Sequence, residues 1–309
     1  MLGLSHQYWG YTAVVLAACF FAQISILTKF AYSLGMTPWQ ILTLQSLVAF
    51  LVLYIYMRRF KPELLKISDK MLVRLLVYSI VGSLTTSALS YYALLYLPAS
   101  LSIMLLFTYP ALVVIGAYLF FHQRVLTHQI IALLLTLAGT MLSTRFWQVT
   151  ANSLQFKGIL FGLGSALAYA FFNLYGEHIL AKTEPLTTLV YVQFFSALAL
   201  IGWQIPAYLR GSAVLFGNLP QLLLGIVMAT LTSLLPFWLL LEGIKQIGSA
   251  KASIIGSLEL PATFLLAFIF LHEKFNLWQA IGAGLILTGI LLIRYGGKST
   301  GTLTPDANN

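Results

Sequence analysis

Charge is scarce in this chain. Of 309 residues only 8% are charged, 17 basic and 8 acidic, against about 25% in soluble globular proteins. So few charges cannot clothe a water-facing surface, and 60% of the residues are hydrophobic. Cysteine is nearly absent: Cys19 alone makes neither an intrachain disulfide nor a metal cluster, and it reads as a small buried hydrophobe. Period-two alternation is missing from apolar runs that also exceed a barrel strand in length, so a β-barrel is excluded. No H-E-x-x-H, G-x-S-x-G or Walker A loop occurs. No cofactor, metal or enzyme chemistry of those kinds is expected, and any transport energy must come from gradients. His122 and His128 stand six apart in a loop, which does not place two ligands on one helical face.

What the chain has is length in apolar runs. At about 20 residues per crossing, ten membrane spans use about 200 positions and leave about ten for each loop and tail. A separate soluble module of about 100 residues does not fit. Apolar runs between turn signals put spans near 8–34, 37–57, 71–96, 98–121, 129–146, 157–181, 186–208, 219–246, 248–271 and 276–295. Thr37-Pro38, Leu97-Pro98, Glu184-Pro185, Leu219-Pro220 and Ile247-Gly248 mark breaks. The first run is no cleaved signal, since no Lys or Arg precedes it and it outlasts the apolar core of one.

The net charge of +9 belongs to loops. Arg58, Arg59, Lys61, Lys66, Lys70 and Arg74 fill one gap between apolar runs. With the N-terminus inside, twelve of the seventeen basic residues lie on the inner side, which predicts both termini in the cytoplasm of a plasma (bacterial inner) membrane protein. No basic stripe interleaved with aromatics exists, so nucleic acid is not an expected partner.

An internal repeat emerges when the chain is slid over itself by half its length. At an offset of 148, Gly10 meets Gly158, Ala18 meets Ala166, Ala22 meets Ala170 and Gln45 meets Gln193. At 150 to 151, Tyr96–Ser100 meets Gln246–Ala250, Pro110 meets Pro261, and Phe121-His122-Gln123-Arg124 meets Leu271-His272-Glu273-Lys274. Five spans per half is an odd number, so the second half inserts upside down. The expected fold is therefore an all-α polytopic membrane protein, ten transmembrane helices in two inverted five-helix repeats. The first repeat covers residues 1–150, the second 151–296, and 297–309 form a flexible cytoplasmic tail. This is the plan of secondary transporters whose site lies near mid-membrane between the halves.

Glu259-Leu-Pro261, then Leu271-His-Glu273-Lys274, then the glycine-rich Gln279–Gly289 carry a specific likeness, echoed by Leu97-Pro98-Ala99-Ser100, Tyr109-Pro110 and Ala138-Gly139. The sequence resembles the drug/metabolite transporter superfamily, in particular its ten-helix EamA-type exporters. Lys29 also sits where those proteins often carry Lys. Gln45 stands where they often have Arg, and Gln123 where they often have Glu. The resemblance implies that helices 1–4 and 6–9 surround a central cavity, with 5 and 10 peripheral. It also implies alternating-access movement of small metabolites, usually outward.

Ionisable groups at membrane depth are the leading site candidates, because a charge at the bilayer centre costs about 2.5–3.5 kcal/mol even on insertion scales. Glu259 lies about 16 Å into its span when counted from residue 248 at 1.5 Å per residue. It is expected to bind a cationic or amino group or to exchange a proton, against a purely structural role near Pro261. Lys29 and Glu177 match at the 148 offset; inversion puts them at opposite ends, each serving a gate or snorkelling to its own interface. Tyr169, Asn173 and Glu177 recur at i, i+4 and i+8, as do Phe21, Ser25 and Lys29, stripes that suit a cavity lining or helix packing. Gln45, Gln193, Tyr92 and Trp238 complete the candidate lining. Aromatics, 14% of the chain, suggest a pocket for apolar or aromatic groups, with interface anchoring as the alternative. Glu242, Lys245 and Lys251 read as a solvated turn, and Gly158-Ile-Leu-Phe-Gly162 as a close helix contact.

The expected function is a secondary transporter of small metabolites, foremost amino acids or similar amphipathic compounds, with membrane lipid around it and protons as candidate partners. An uncoupled facilitator, a lipid translocator or scaffold, and an intramembrane enzyme are the alternatives. The enzyme would need His, Asp or Cys clustered at one depth, which the sequence lacks.

Overall fold

A computed structural model describes residues 2–97, 99–121, 125–144, 153–210, 217–271 and 277–296. The side chains of Ser25 and Lys29, the segments with His122, Gln123, Glu273 and Lys274, and the expected tail 297–309 lie outside the described residues. Among those described, every element is helical. The first repeat runs α1 (Leu2–Phe21) and α2 (Ile24–Ser33), α3 (Pro38–Phe60), then α4 (Asp69–Val77), a π-helix (Tyr78–Leu84) and α5 (Thr85–Tyr96). It continues through α6 (Ala99–Leu106) and α7 (Tyr109–Phe121) to α8 (Thr127–Thr144). The second repeat runs α9 (Ser153–Leu180), α10 (Pro185–Leu209), then α11 (Leu219–Met228), a π-helix (Ala229–Leu234) and α12 (Leu235–Ile247). It ends with α13 (Ser249–Gly256), α14 (Glu259–Leu271) and α15 (Leu277–Gly296). Eight spans are individually long and apolar enough to cross a membrane. The ninth is α13 and α14 end to end, and the tenth is α15.

Local chemistry sets the helix ends. Thr37 accepts from the Gln40 N–H while the Gln40 side chain accepts from the Thr37 N–H, and Pro38 opens α3; Asn218, Gln221 and Pro220 do the same for α11. Both are capping boxes with proline in the first turn, where a missing N–H costs nothing. Gly248 turns the chain from α12 into α13 at φ 81°, a conformation side chains rarely tolerate.

The two repeats match element by element. The fourth and ninth spans both break after an eight-residue helix and resume as a thirteen-residue helix, 150 positions apart. The third and eighth spans both carry a π-helix at the corresponding depth. Packing follows the same two-fold: α1 lies on α12 as α9 lies on α5, α1 meets α13 and α14 as α9 meets α6 and α7, and α3 pairs with α10. A Cβ on Gly10 would stand 2.6 Å from Gln246, and one on Gly158 2.5 Å from Leu97. The Gly158–Gly162 motif is thus the close helix contact its sequence suggested. Helices α8 and α15 pack chiefly on each other, and a Cβ on Gly139 would lie 2.5 Å from the Gly282 carbonyl oxygen.

The symmetry is incomplete in an informative way. Within the second repeat α9 and α12 pack on each other and each on α10 and α13, while of the equivalent α1, α3, α5 and α6 only the consecutive α5 and α6 pack to a similar extent. The first span breaks at Ala22–Gln23, where α9 is unbroken, so the Phe21, Ser25, Lys29 stripe crosses a kink. Cys19, expected inside, is exposed on α1; its neighbours Ala17 and Ala18 take the buried positions, and the thiol side falls on the outer surface.

Candidate functional site

Glu259 is the first residue of α14, directly after the Ser257–Leu258 break. The helix that follows points its N-terminus at the carboxylate, which favours negative charge there. At residue 261 proline removes a further donor, and the Thr263 hydroxyl donates to the Glu259 carbonyl at 2.8 Å. Among the described residues the carboxylate makes no hydrogen bond and no ion pair. It is half-buried and lies within electrostatic range of the Tyr109 and Tyr169 hydroxyls.

Tyr109 comes from the equivalent break of the first repeat. At the ninth-span break the Ser257 N–H pairs with the Ile254 carbonyl at 3.2 Å, which leaves the Ser253 carbonyl without its usual helical donor. The Tyr109 hydroxyl donates to that carbonyl at 3.1 Å, so one repeat satisfies a backbone group freed in the other. From there a chain of rings crosses the core. Tyr109 and Tyr169 centroids are 4.5 Å apart, Phe172 stacks on Tyr78 at 4.6 Å, and Phe237 links Phe172 to Phe21 at 5.6 and 5.1 Å. Such pairs hold four or more spans in a fixed relation.

The remaining candidates separate by environment. Asn173 is buried and donates to the Tyr169 carbonyl at 2.8 Å, and of its stripe Tyr169 lies within electrostatic range of Glu259. Gln45 donates to Thr232 at 3.0 Å and Gln193 to Ser233 at 2.7 Å, both hydroxyls of the second π-helix. Both glutamines are therefore committed to helix contacts in this state. Tyr92 sits toward the opposite end, against Trp39 and Phe161, and Trp238 lies one turn before Glu242 on α12.

Glu177 caps α13. Its Oε2 accepts from the Ser249 N–H at 2.8 Å and the Ser249 hydroxyl at 2.5 Å, joining α9 to the start of the ninth span. Three more links close the same face: Lys245 to Glu184 at 2.7 Å, Thr187 to the Leu64 carbonyl at 2.9 Å, and Tyr191 to the Leu65 carbonyl at 2.7 Å. A shallow basin of about 390 Å³ remains there, lined by Glu63, Lys66, Lys182, Glu184 and Lys245. Glu242, Lys245 and Glu184 thus form a surface ion group rather than part of the central site.

The EamA-like transporter family matches the chain twice, over residues 8–145 and again over 156–295. The chain belongs to the EamA-like transporter family. It is 25% identical over 287 residues to the uncharacterized inner membrane transporter YicL of Salmonella typhimurium, covering 92% of this chain and 94% of that one. To the uncharacterized transporter YcbK of Bacillus subtilis it is 26% identical over 287 residues, 91% of each chain. One crystal structure of a protein shares the fold at a TM-score of 0.75 and 15% identity, covering 96% of this chain and 99% of that chain. As a member of the EamA-like family the chain is a membrane transporter, which implies a small-molecule substrate.

In this EamA-family chain the sequence places Tyr109 only among the aromatics of cavity-lining helices, and its bond to the other repeat beside the Glu259 break comes from the structure. The available signal was the repeat itself, since Tyr109 lies 150 positions before Glu259.

Proposed function

We propose that the chain is a secondary transporter that exports small amphipathic metabolites, amino acids foremost, by alternating access between its two repeats. Glu259 takes the substrate's amino group or the coupling proton. The observation that carries this reading is a carboxylate with no partner among the described residues, half-buried at a mid-span helix break within electrostatic range of two tyrosines. A bare charge at that depth is costly unless function retains it, and half-helix termini are where such transporters place their ligands. The unequal packing of two matched repeats fits a chamber open to one side only. The positive-inside count puts the 61–68 segment and both termini in the cytoplasm, so the linked face is the cytoplasmic one and the conformation outward-facing. Glu177 then acts as the inner gate, with Lys29 at the outer end of the first span.

Counterflow in proteoliposomes tests this, with a pool of labelled amino acids, with and without a pH gradient, beside Glu259→Gln. Saturable exchange that the substitution abolishes is expected. Accumulation driven by the gradient marks proton antiport, and equal rates with and without it mark facilitation. Flat traces for every amino acid overturn the substrate class.

A further inference from the structure

Gln45 and Gln193 are equivalent residues of α3 and α10, 148 positions apart, yet they make inequivalent bonds. Gln193 holds Ser233 inside its own repeat, whereas Gln45 reaches across to Thr232 of the other repeat. The packing around them differs in the same sense: α10 lies against α12, and the matching pair α3 and α5 shows no comparable contact. In an inverted-repeat protein the two end states are related by exchanging the conformations of the repeats, because each repeat is the same structure seen from the opposite side. Exchange converts the Gln193 to Ser233 bond into one from Gln45 to the residue 150 before Ser233, which is Ser83. Ser83 belongs to the first π-helix, and among the described residues its hydroxyl makes no hydrogen bond. It is half-buried, so the acceptor stands ready and empty.

We propose that Gln45 is a two-position latch of the transport cycle, holding Thr232 across the repeats in this state and Ser83 within its own repeat in the opposite one. The return bond of Gln193 has no counterpart, since the residue equivalent to Thr232 is Gly82, which carries no hydroxyl. A Cβ there would press on Phe172 at 3.2 Å, so the first π-helix is shaped for ring packing where the second offers a hydroxyl. The latch is therefore one-sided: Gln45 changes partner, and Gln193 lets go. This rests on alternating access between the repeats but not on the identity of the substrate. π-Helices suit such a role, because π-bulges within α-helices recur at functional sites.

Crosslinking decides it. Full-length protein with Cys19→Ala carries either Gln45→Cys with Thr232→Cys or Gln45→Cys with Ser83→Cys, and is treated in proteoliposomes with a short bis-methanethiosulfonate. Both pairs are expected to crosslink, each to stop the counterflow that the same variant shows before treatment, and reduction to return it to that variant's own untreated rate. A control pair, Gln45→Cys with Val81→Cys, stays open, since Val81 is exposed on the outer side of the same π-helix. Ser83→Ala is the second variant. It removes a hydroxyl unbonded here, so thermal unfolding stays at the wild-type value while counterflow slows at least about threefold. Crosslinking of 45 to 83 at the control level, with 45 to 232 complete, overturns the latch, as does normal transport by Ser83→Ala. If wild-type counterflow is flat for every amino acid, the substrate reading falls and the crosslink yields still decide the latch.

Discussion

Tyr109 and Glu259 are the same position of the two repeats, and the structure brings them within electrostatic range of each other. Each opens a thirteen-residue helix after a two-residue break. One keeps a carboxylate and the other a phenol whose hydroxyl serves the partner repeat's backbone. The centre of the molecule is thus built from one duplicated turn with two different side chains.

Replacing Glu259 by Gln separates function from folding. Counterflow should fall about tenfold or more, equivalent to about 1.4 kcal/mol, and lose any response to an imposed pH gradient. Thermal unfolding in detergent should hold or rise, because the substitution removes a charge with no partner among the described residues. A large drop in unfolding temperature would show that the carboxylate is structural.

Tyr109→Phe keeps the ring against Tyr169 and deletes one hydrogen bond to the Ser253 carbonyl. The expected loss is about 0.6–1 kcal/mol, the range for interhelical bonds in membranes. Thermal unfolding measures it, and an unchanged midpoint would mean that the carbonyl finds another donor.

Glu177→Ala strips the cap from α13. The freed Ser249 N–H and the lost end charge should destabilise that turn by about 1 kcal/mol. Amide hydrogen exchange across residues 249–253 should quicken about fivefold, with residues 259–265 unaffected. Uniform acceleration along the ninth span would refute a local cap.

Glycine substitutions on α15 should divide sharply. A Cβ on Gly282 collides with the Gly139 carbonyl and Ser143, and one on Gly289 stands 2.8 Å from the Ala132 carbonyl. Gly284 has nothing within 4 Å. Gly282→Ala should cost about 1–3 kcal/mol by forcing α8 and α15 apart, whereas Gly284→Ala should be neutral or gain up to about 1 kcal/mol. Expression and unfolding temperature in detergent report both.

The fold could be read in the sequence because its determinants are local or periodic. Span length, Pro and Gly at the breaks, and matched residues half a chain apart state a ten-helix, two-repeat protein directly. Glu259 was equally visible, since a lone acidic residue deep in an apolar run stands out. The partners of the other polar residues were less so. Gln45 and Gln193 read as one symmetric pair, and the kink at Ala22–Gln23 has neither proline nor glycine to announce it. Cys19 reads as buried by residue type and is exposed in the structure, because apolar residues surround the first span on every side and no amphipathic pattern distinguishes lipid from core.

Composition and periodicity by themselves determined that the chain spans a membrane ten times, duplicates one five-helix unit, and carries a carboxylate near mid-depth. Each of these follows from the cost of placing polar groups in hydrocarbon, which acts residue by residue. Only the tertiary structure decided that the Tyr109 hydroxyl reaches the Ser253 carbonyl of the other repeat, that Glu177 caps α13, and that the two equivalent glutamines reach different partners. Those relations depend on how the repeats lean on each other, and packing between helices of like apolarity leaves no imprint on either sequence alone.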